Sequence, residues 1–256
     1  MRKSYKVVWL SAGVSSFIAG YLAGDVDEWI YIDIADQHPD SLRFISDCER
    51  VIGKKVTIIK SPDFEKVEDV VRKTKFINSP HGATCTTYLK KIVRKKWEQS
   101  FWQTHPDTDL IYVWGMDMSE KNRAERLVEN FPEFSHEFPL IDKNISKEDA
   151  HGLLEKLGIK RPLMYDLGYN NNNCVGCVKG GMGYWNKIRR DFPEVFETRA
   201  RLEREVGHSC IKGVYLDELP EDAGRMSKEV MQDCGIMCLL AYEDLPEEKT
   251  VFEKVG

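Results

Sequence analysis

Two close cysteine pairs are the most chemically specific feature of the chain. Cys174-x-x-Cys177 and Cys234-x-x-x-Cys238 stand 56 residues apart, and each encloses a glycine, Gly176 or Gly235. A tight turn between two thiolates lets both reach one centre. The two pairs therefore predict a four-cysteine site for structural zinc or an iron–sulfur cluster. Cys48, Cys85 and Cys210 bring the count to seven. An odd count, in a chain whose first residues carry no apolar signal region, argues against a disulfide scaffold and for metal or redox use. Cys48 falls mid-helix and reads as a small core hydrophobe; Cys210 is left unassigned. None of the six histidines is paired at ligand spacing.

A second candidate is Ser11-Ala12-Gly13-Val14-Ser15-Ser16, between an apolar strand and a helix. Such a loop places backbone N–H groups at a helix N-terminus on the carboxyl edge of a sheet, where anions bind. Small residues allow close approach, and the hydroxyls add donors; the plainer reading is a serine-capped helix. Neither a Walker loop nor a dinucleotide fingerprint is present. Two further stretches have two readings each. The glycine-rich Lys179–Gly183, leading into a helix with Tyr184, Trp185, Arg189 and Arg190, suits a phosphate or a stacked base, or is a solvated helix face. The basic Lys90–Trp97 suits nucleic-acid phosphates or, more simply, a solvated face.

The elements that must position these residues alternate. Strands are expected at 6–10, 28–33, 55–59 and 109–114. Helices are expected at 17–23, 41–52, 64–73, 86–101, 120–129 and 146–157, the last opening on a Ser146-x-x-Asp149 capping box. Strand–helix alternation argues for a parallel sheet covered on both faces. After Pro162 the pattern gives way to an Asn/Gly-rich stretch, one long helix from Tyr184 to Val206, and an irregular tail. The expected division is a nucleotide-binding α/β core, 1–162, and a Cys-rich, metal-stapled C-terminal region, 163–256. Of 256 residues, 37 are basic and 42 acidic, a net −5. That balance disfavours nucleic-acid binding by bulk charge. With no apolar run of about 18 residues, no membrane helix is expected, and the cytoplasm is the expected location.

Several of these segments, in order, resemble the phosphoadenosine phosphosulfate reductase family of the PP-loop (adenine nucleotide alpha hydrolase-like) superfamily. Ser11–Ser16 is similar to the loop Ser-Gly-Gly-x-Asp-Ser. Ile32-Asp33-Ile34-Ala35 with Pro39-Asp40-Ser41 resembles Ile-Asp-Thr-Gly and Pro-Glu-Thr. Cys85-Thr86-Thr87-Tyr88-Leu89-Lys90 resembles Cys-Thr-x-x-Leu-Lys. Gly115 to Glu120, with Arg123 and Arg126, resembles Gly-x-x-x-x-Glu-x-x-x-Arg. Pro162-Leu163-Met164-Tyr165 to Gly168-Tyr169, followed by Cys174 and Cys177, resembles the family's Pro-Leu-Tyr passage. The resemblance spans roughly residues 5–180.

It implies a Rossmann-like (HUP-type) α/β sandwich with a mainly parallel five-stranded sheet, plus the Cys-rich extension. It implies an oxidoreductase or sulfurtransferase that binds ATP or adenylyl sulfate, with Mg as an optional companion, through Ser11, Ala12, Gly13, Ser15, Ser16, Asp33, Gly115 and Arg123. Zinc or a [4Fe-4S] cluster would be held by Cys174, Cys177, Cys234 and Cys238, with Cys85 as a fifth candidate. Cys234, in Asp233-Cys234-Gly235-Ile236-Met237, is the candidate nucleophile, although the family's tail carries a histidine where Met237 stands. Ser15 stands where the family has an aspartate. Three functions follow: reduction of an adenylyl sulfate, ATP-dependent thiolation of nucleic acid, or nucleotide-binding regulation without turnover. The partners are accordingly a small nucleotide and, as options, a nucleic acid, a thiol-redox protein or a second copy of the chain.

Overall fold

In the computed structural model, residues 3–79 and 82–229 are described. Five strands form one parallel sheet: β1 (Lys3–Leu10), β2 (Glu28–Ile32), β3 (Val56–Ile59), β4 (Thr108–Val113) and β5 (Ser135–Glu137), in the order β3-β2-β1-β4-β5. The fold is α/β and Rossmann-like, as the alternation implies. The strand order reverses between β1 and β4, so the crevice at their carboxyl ends is the topological switch point, where open sheets bind ligands.

Both faces of the sheet are covered, which is why the second half of β1, Val7 to Leu10, reads as an unbroken apolar run rather than an alternation. Val8 and Leu10 of β1, with Trp29 and Tyr31 of β2, meet α1 (Val14–Ala23), α2 (Asp40–Ile52) and α6 (Lys147–Lys156) through Phe17, Ile18, Phe44, Ile45, Cys48 and Leu154. Val7 and Trp9, with Ile30, Leu110 and Tyr112, face the opposite layer. That layer contains α3 (Val67–Thr74), α4 (Ile92–Thr104), α5 (Lys121–Asn130), α7 (Met182–Asp191) and α8 (Pro193–Val206). Trp185, Ile188 and Leu202, all beyond residue 163, are fully buried in that same cluster.

Local chemistry accounts for most boundaries. The Ser146–Asp149 capping box forms, with Ser146 Oγ accepting from Asp149 N at 3.1 Å. Gly53 and Gly207 close α2 and α8 in left-handed geometry. Three elements differ from expectation. The long helix 184–206 is two helices, because Pro193 cannot donate to the preceding turn and Phe192 leaves helical geometry at φ −140°. Residues 78–79 and 82–83 pair as a small antiparallel ribbon outside the expected strands. The fifth strand is a three-residue segment, Ser135–Glu137, too short to announce itself by periodicity. No helix among the described residues is long and apolar enough to cross a membrane.

Candidate functional site

The loop after β1 presents backbone rather than side-chain donors. Gly13 precedes α1 in extended geometry, no side chain caps the helix from there, and the first turn carries no acidic residue. The positive end of the helix dipole thus meets neither a cap from Gly13 nor a carboxylate of its own first turn. The Tyr165 hydroxyl accepts from Val14 N at 3.4 Å. The Ser16 hydroxyl donates to the Gly13 carbonyl at 3.0 Å and accepts from Ser11 N at 3.1 Å. The Ser11 and Ser16 hydroxyl oxygens lie 3.1 Å apart. Ser16 therefore holds the loop's own shape.

Two neighbours fix that shape from outside. Gly115, just past β4, lies directly beneath the loop: a Cβ there would stand 2.6 Å from both Ser16 Cα and Ser16 N. Asn172 Nδ2 donates to the Ala12 carbonyl at 2.8 Å and to Ser41 Oγ at 3.0 Å. Ala12 itself is fully buried with φ of 54°, a left-handed conformation that suits glycine and costs an L-residue about 1 kcal/mol. Asp33, at the end of β2, is ion-paired to Lys60 at 2.8 Å. Arg123, on α5, is buried and ion-paired to Glu120. The loop and Gly115 thus meet directly, while Asp33 and Arg123 are each committed to a carboxylate–cation pair nearby in the fold.

The cysteines gather on the same carboxyl edge. Cys85, Cys174 and Cys177 line one apolar pocket with Ile34, which follows β2, and with Val67, Leu89 and Val178. The Tyr184 hydroxyl accepts from Cys177 N at 2.9 Å and donates to the Cys174 carbonyl at 3.2 Å. Burial holds that phenol well above its usual range. Cys234 and Cys238 lie outside the described residues. Among the described residues no three His, Cys, Asp or Glu side chains are placed to hold a single metal ion. Cys48 is fully buried on α2, as its helical position predicts, and burial pushes its thiol up.

Two readings of charge change in the structure. The glycine-rich start of α7 already has an anion: the Glu229 carboxylate accepts from Gly183 N at 2.8 Å and from Gly181 N at 3.2 Å. The phosphate site suggested by Lys179–Gly183 is therefore filled from within the chain. The basic stretch before Trp97 is no solvated stripe either. A π-helical turn over Thr87–Lys91 precedes α4, and Lys90, Lys91 and Arg94 are buried while Lys95 and Lys96 face solvent. Arg94 pairs with Glu98, which also accepts from the buried Tyr112 hydroxyl. These cations serve the interior rather than an external polyanion.

Asn172 escapes a reading by motif because it sits in a run of asparagines that looks like low complexity. Only the structure shows that Asn171, Asn172 and Asn173 are all buried, and buried amides require partners.

No family model matches the chain. An uncharacterized protein of Methanocaldococcus jannaschii is 25% identical over 193 residues, covering 72% of this chain and 37% of that protein. The chain thus spans little more than a third of that relative's length. Among solved structures, a phosphoadenylyl-sulfate (PAPS) reductase from Candida auris in complex with phosphate has a TM-score of 0.43 and 15% identity. That likeness covers 66% of this chain and 80% of the reductase chain.

Proposed function

We propose that this protein binds an adenine nucleotide, adenylyl sulfate or ATP, with its phosphate or sulfate at the Ser11–Ser16 loop, and carries out thiol-based sulfur chemistry beside it. One observation carries the reading. The start of α1 has no cap from Gly13 and no acidic residue in its first turn, lies at the switch point of a parallel sheet, and is shaped by Gly115 and Asn172. In this reading the N–H groups at the start of α1 hold the anion, with Tyr165 beside them. Asp33, once it lets go of Lys60, takes the ribose. The loop supplies a hydroxyl, Ser15, where a carboxylate would hold Mg, so no step is routed through that ion.

For adenylyl sulfate, the chemistry is displacement at sulfur. A cysteine thiolate attacks the sulfur atom, the S–O bond to the nucleotide phosphate breaks with its electron pair, and the nucleotide leaves as its phosphate anion. A second thiol then attacks the resulting S-sulfocysteine, forming a disulfide and releasing sulfite. Cys234 is the nucleophile in this reading. The thiolation alternative needs a surface for nucleic acid. Burial of Lys90, Lys91 and Arg94 withdraws the basic helix that would have supplied it.

The test is thermal unfolding with adenylyl sulfate, ATP, AMP or inorganic phosphate at millimolar concentration. A ligand at a hundred times its Kd stabilises the fold by about 2.7 kcal/mol. Wild type is expected to shift with at least one adenine nucleotide, and Gly13→Val with none. No shift of wild type with any adenine nucleotide overturns the reading. A shift with adenylyl sulfate but no sulfite release leaves the regulator as the function.

A further inference from the structure

Ile58 is 48% exposed, in the middle of β3, the outermost strand on one side of the sheet. A single exposed isoleucine means little; its backbone is the telling part. The register pairs Ile30 with Thr57 and Ile32 with Ile59, and Asp33 N donates to the Ile59 carbonyl at 2.9 Å. In a parallel ladder, alternate residues turn both backbone groups to the same neighbour. Thr57 and Ile59 therefore face β2, while Val56, Ile58 and Lys60 turn theirs outward. Val56 bears this out, since its N–H donates to Glu49 Oε1 at 2.9 Å. The outward N–H and carbonyl of Ile58 have no such partner among the described residues. An open pair of this kind is a template for another strand.

The flank of the sheet beside Ile58 is apolar as well. Val56 packs into the layer of α1, α2 and α6, and Ile58, two residues on, lies on the same face of β3. Glu49 marks the side of α2 that meets this edge, and Leu42, seven residues earlier, shares that side and is 45% exposed. Lysines commonly blunt such edges, and Lys54, Lys55 and Lys60 flank this one. Each of them is engaged: Lys54 Nζ donates to the Val26 carbonyl at 2.6 Å, Lys55 pairs with Glu49 at 2.8 Å and Lys60 with Asp33 at 2.8 Å. Glu28, which accepts from Thr57 Oγ1 at 2.8 Å, adds a third carboxylate. The cations of the edge are thus balanced by Glu28, Asp33 and Glu49, and no net charge repels a like edge.

We propose that β3 and the Leu42 side of α2 form the interface of a two-fold dimer, in which β3 pairs antiparallel with β3 of a second copy of this chain and Ile58 stands opposite its own counterpart. A two-fold contact uses the same patch on both copies. Ile58 and its counterpart then exchange N–H···O=C bonds, the hydrogen-bonded pair of an antiparallel ladder. Lys60 N falls to the carbonyl of the second copy's Val56. The Lys60 ammonium comes beside the Glu49 that already holds that residue's N–H, so the charges alternate across the axis. A one-residue slip would set Ile58 against Thr57, whose backbone groups already serve β2. Both α2 helices fall on the same face of a sheet that continues through both copies, with Leu42 and Ile58 buried between them. A foreign extended peptide would find the same backbone but a charge-balanced edge that does nothing to select it. This interface is independent of the nucleotide reading.

The experiment is sedimentation equilibrium of the full chain from about 1 to about 100 μM, with circular dichroism on the same samples. Wild type should pass from monomer to dimer across this range, and Ile58→Val should match it. Ile58→Lys and Ile58→Glu each set like charges directly opposite one another and remove apolar contact, and each should weaken the dimer at least about tenfold with the fold unchanged. Mixed in equal amounts, those two variants should form the dimer that neither forms alone, because a lysine then faces a glutamate across the axis. Leu42→Lys should weaken the dimer by a smaller factor. If a variant at position 58 does not fold, Leu42→Lys decides. Wild type that stays monomeric at about 100 μM overturns the proposal. A dimer that Ile58→Lys and Leu42→Lys leave unchanged lies on another face and overturns it too. Loss of the dimer in both position-58 variants without recovery in their mixture overturns the two-fold register.

Discussion

The Ser11–Ser16 loop and the cysteine-lined pocket lie on the same edge of the sheet but are built in opposite ways. The loop is a contiguous stretch of six residues, Ser11–Ser16, whose donors are backbone N–H groups and whose shape is set by small residues. The pocket is assembled from Cys85, Cys174 and Cys177, with Cys210 tied in through Asn78. A site made of backbone is insensitive to most side-chain changes near it but intolerant of added volume. A site made of distant side chains responds to each of them. Polar burial differs too: the Ser16 hydroxyl ties the loop to itself, whereas beside the pocket Arg199 Nε and Nη1 and the Thr86 hydroxyl are buried without a hydrogen-bond partner among the described residues.

The strongest way to break this contrast is to add volume under the loop. Gly115→Val would place a side chain into Ser15 and Ser16 backbone. It is expected to cost about 3 kcal/mol, at the upper end of overpacking. It should abolish the nucleotide-induced shift. Urea unfolding with and without nucleotide checks it; a variant that keeps both stability and the shift shows that the loop does not need its close support.

A smaller effect tests the sheet that carries Gly115. His136 on β5 accepts from Trp114 Nε1 at 3.0 Å on Nδ1, and its Nε2 lies 2.9 Å from the Phe131 carbonyl, an arrangement that fits the neutral ring. Burial lowers its pKa, so its contribution is complete above the unfolded value of about 6.5 and is lost as pH falls through the lower folded value. His151, lowered chiefly by burial, adds in the same sense. The urea midpoint should therefore fall on acidification below about pH 6.5, and His136→Gln should flatten that slope at a cost of about 1 kcal/mol, one hydrogen bond. An unchanged slope in the variant removes His136 as a source of the acid sensitivity.

The smallest effect is expected at Ala12. Glycine there relieves left-handed strain of about 1 kcal/mol, but the added freedom of the unfolded chain offsets about 0.4–1 kcal/mol of that. Ala12→Gly should change stability by less than about 0.5 kcal/mol and leave nucleotide binding intact. A large gain in affinity would instead mean that the alanine methyl obstructs the anion.

Legibility followed the range of the interactions. The first four strands, the capping box at Ser146 and the core position of Cys48 depend on neighbours in sequence, and periodicity or spacing shows them. The break at Pro193 was equally local, but the charged pattern running through it hid the stop. β5 carries three residues of signal, and its place beside β4 comes from packing. Spacing drew attention to the Gly181–Gly183 turn as an anion site without revealing that Glu229, 46 residues beyond Gly183, fills it.

By itself the sequence determined a parallel, doubly covered sheet, a strand–turn–helix of small residues after β1, and a Cys-x-x-Cys turn. Each follows from residue type at short spacing, where steric rules and hydrogen-bond geometry leave few choices. Only the tertiary structure decided which sulfurs are neighbours, which cations are buried and which glycine supports the loop. Those relations join Cys85 to Cys174, Arg199 to Asp36, and Gly115 to Ser16 across long stretches of chain. Chain connectivity sets no distance between such residues. Strand order and helix packing do, because a close-packed interior leaves each side chain one place to go.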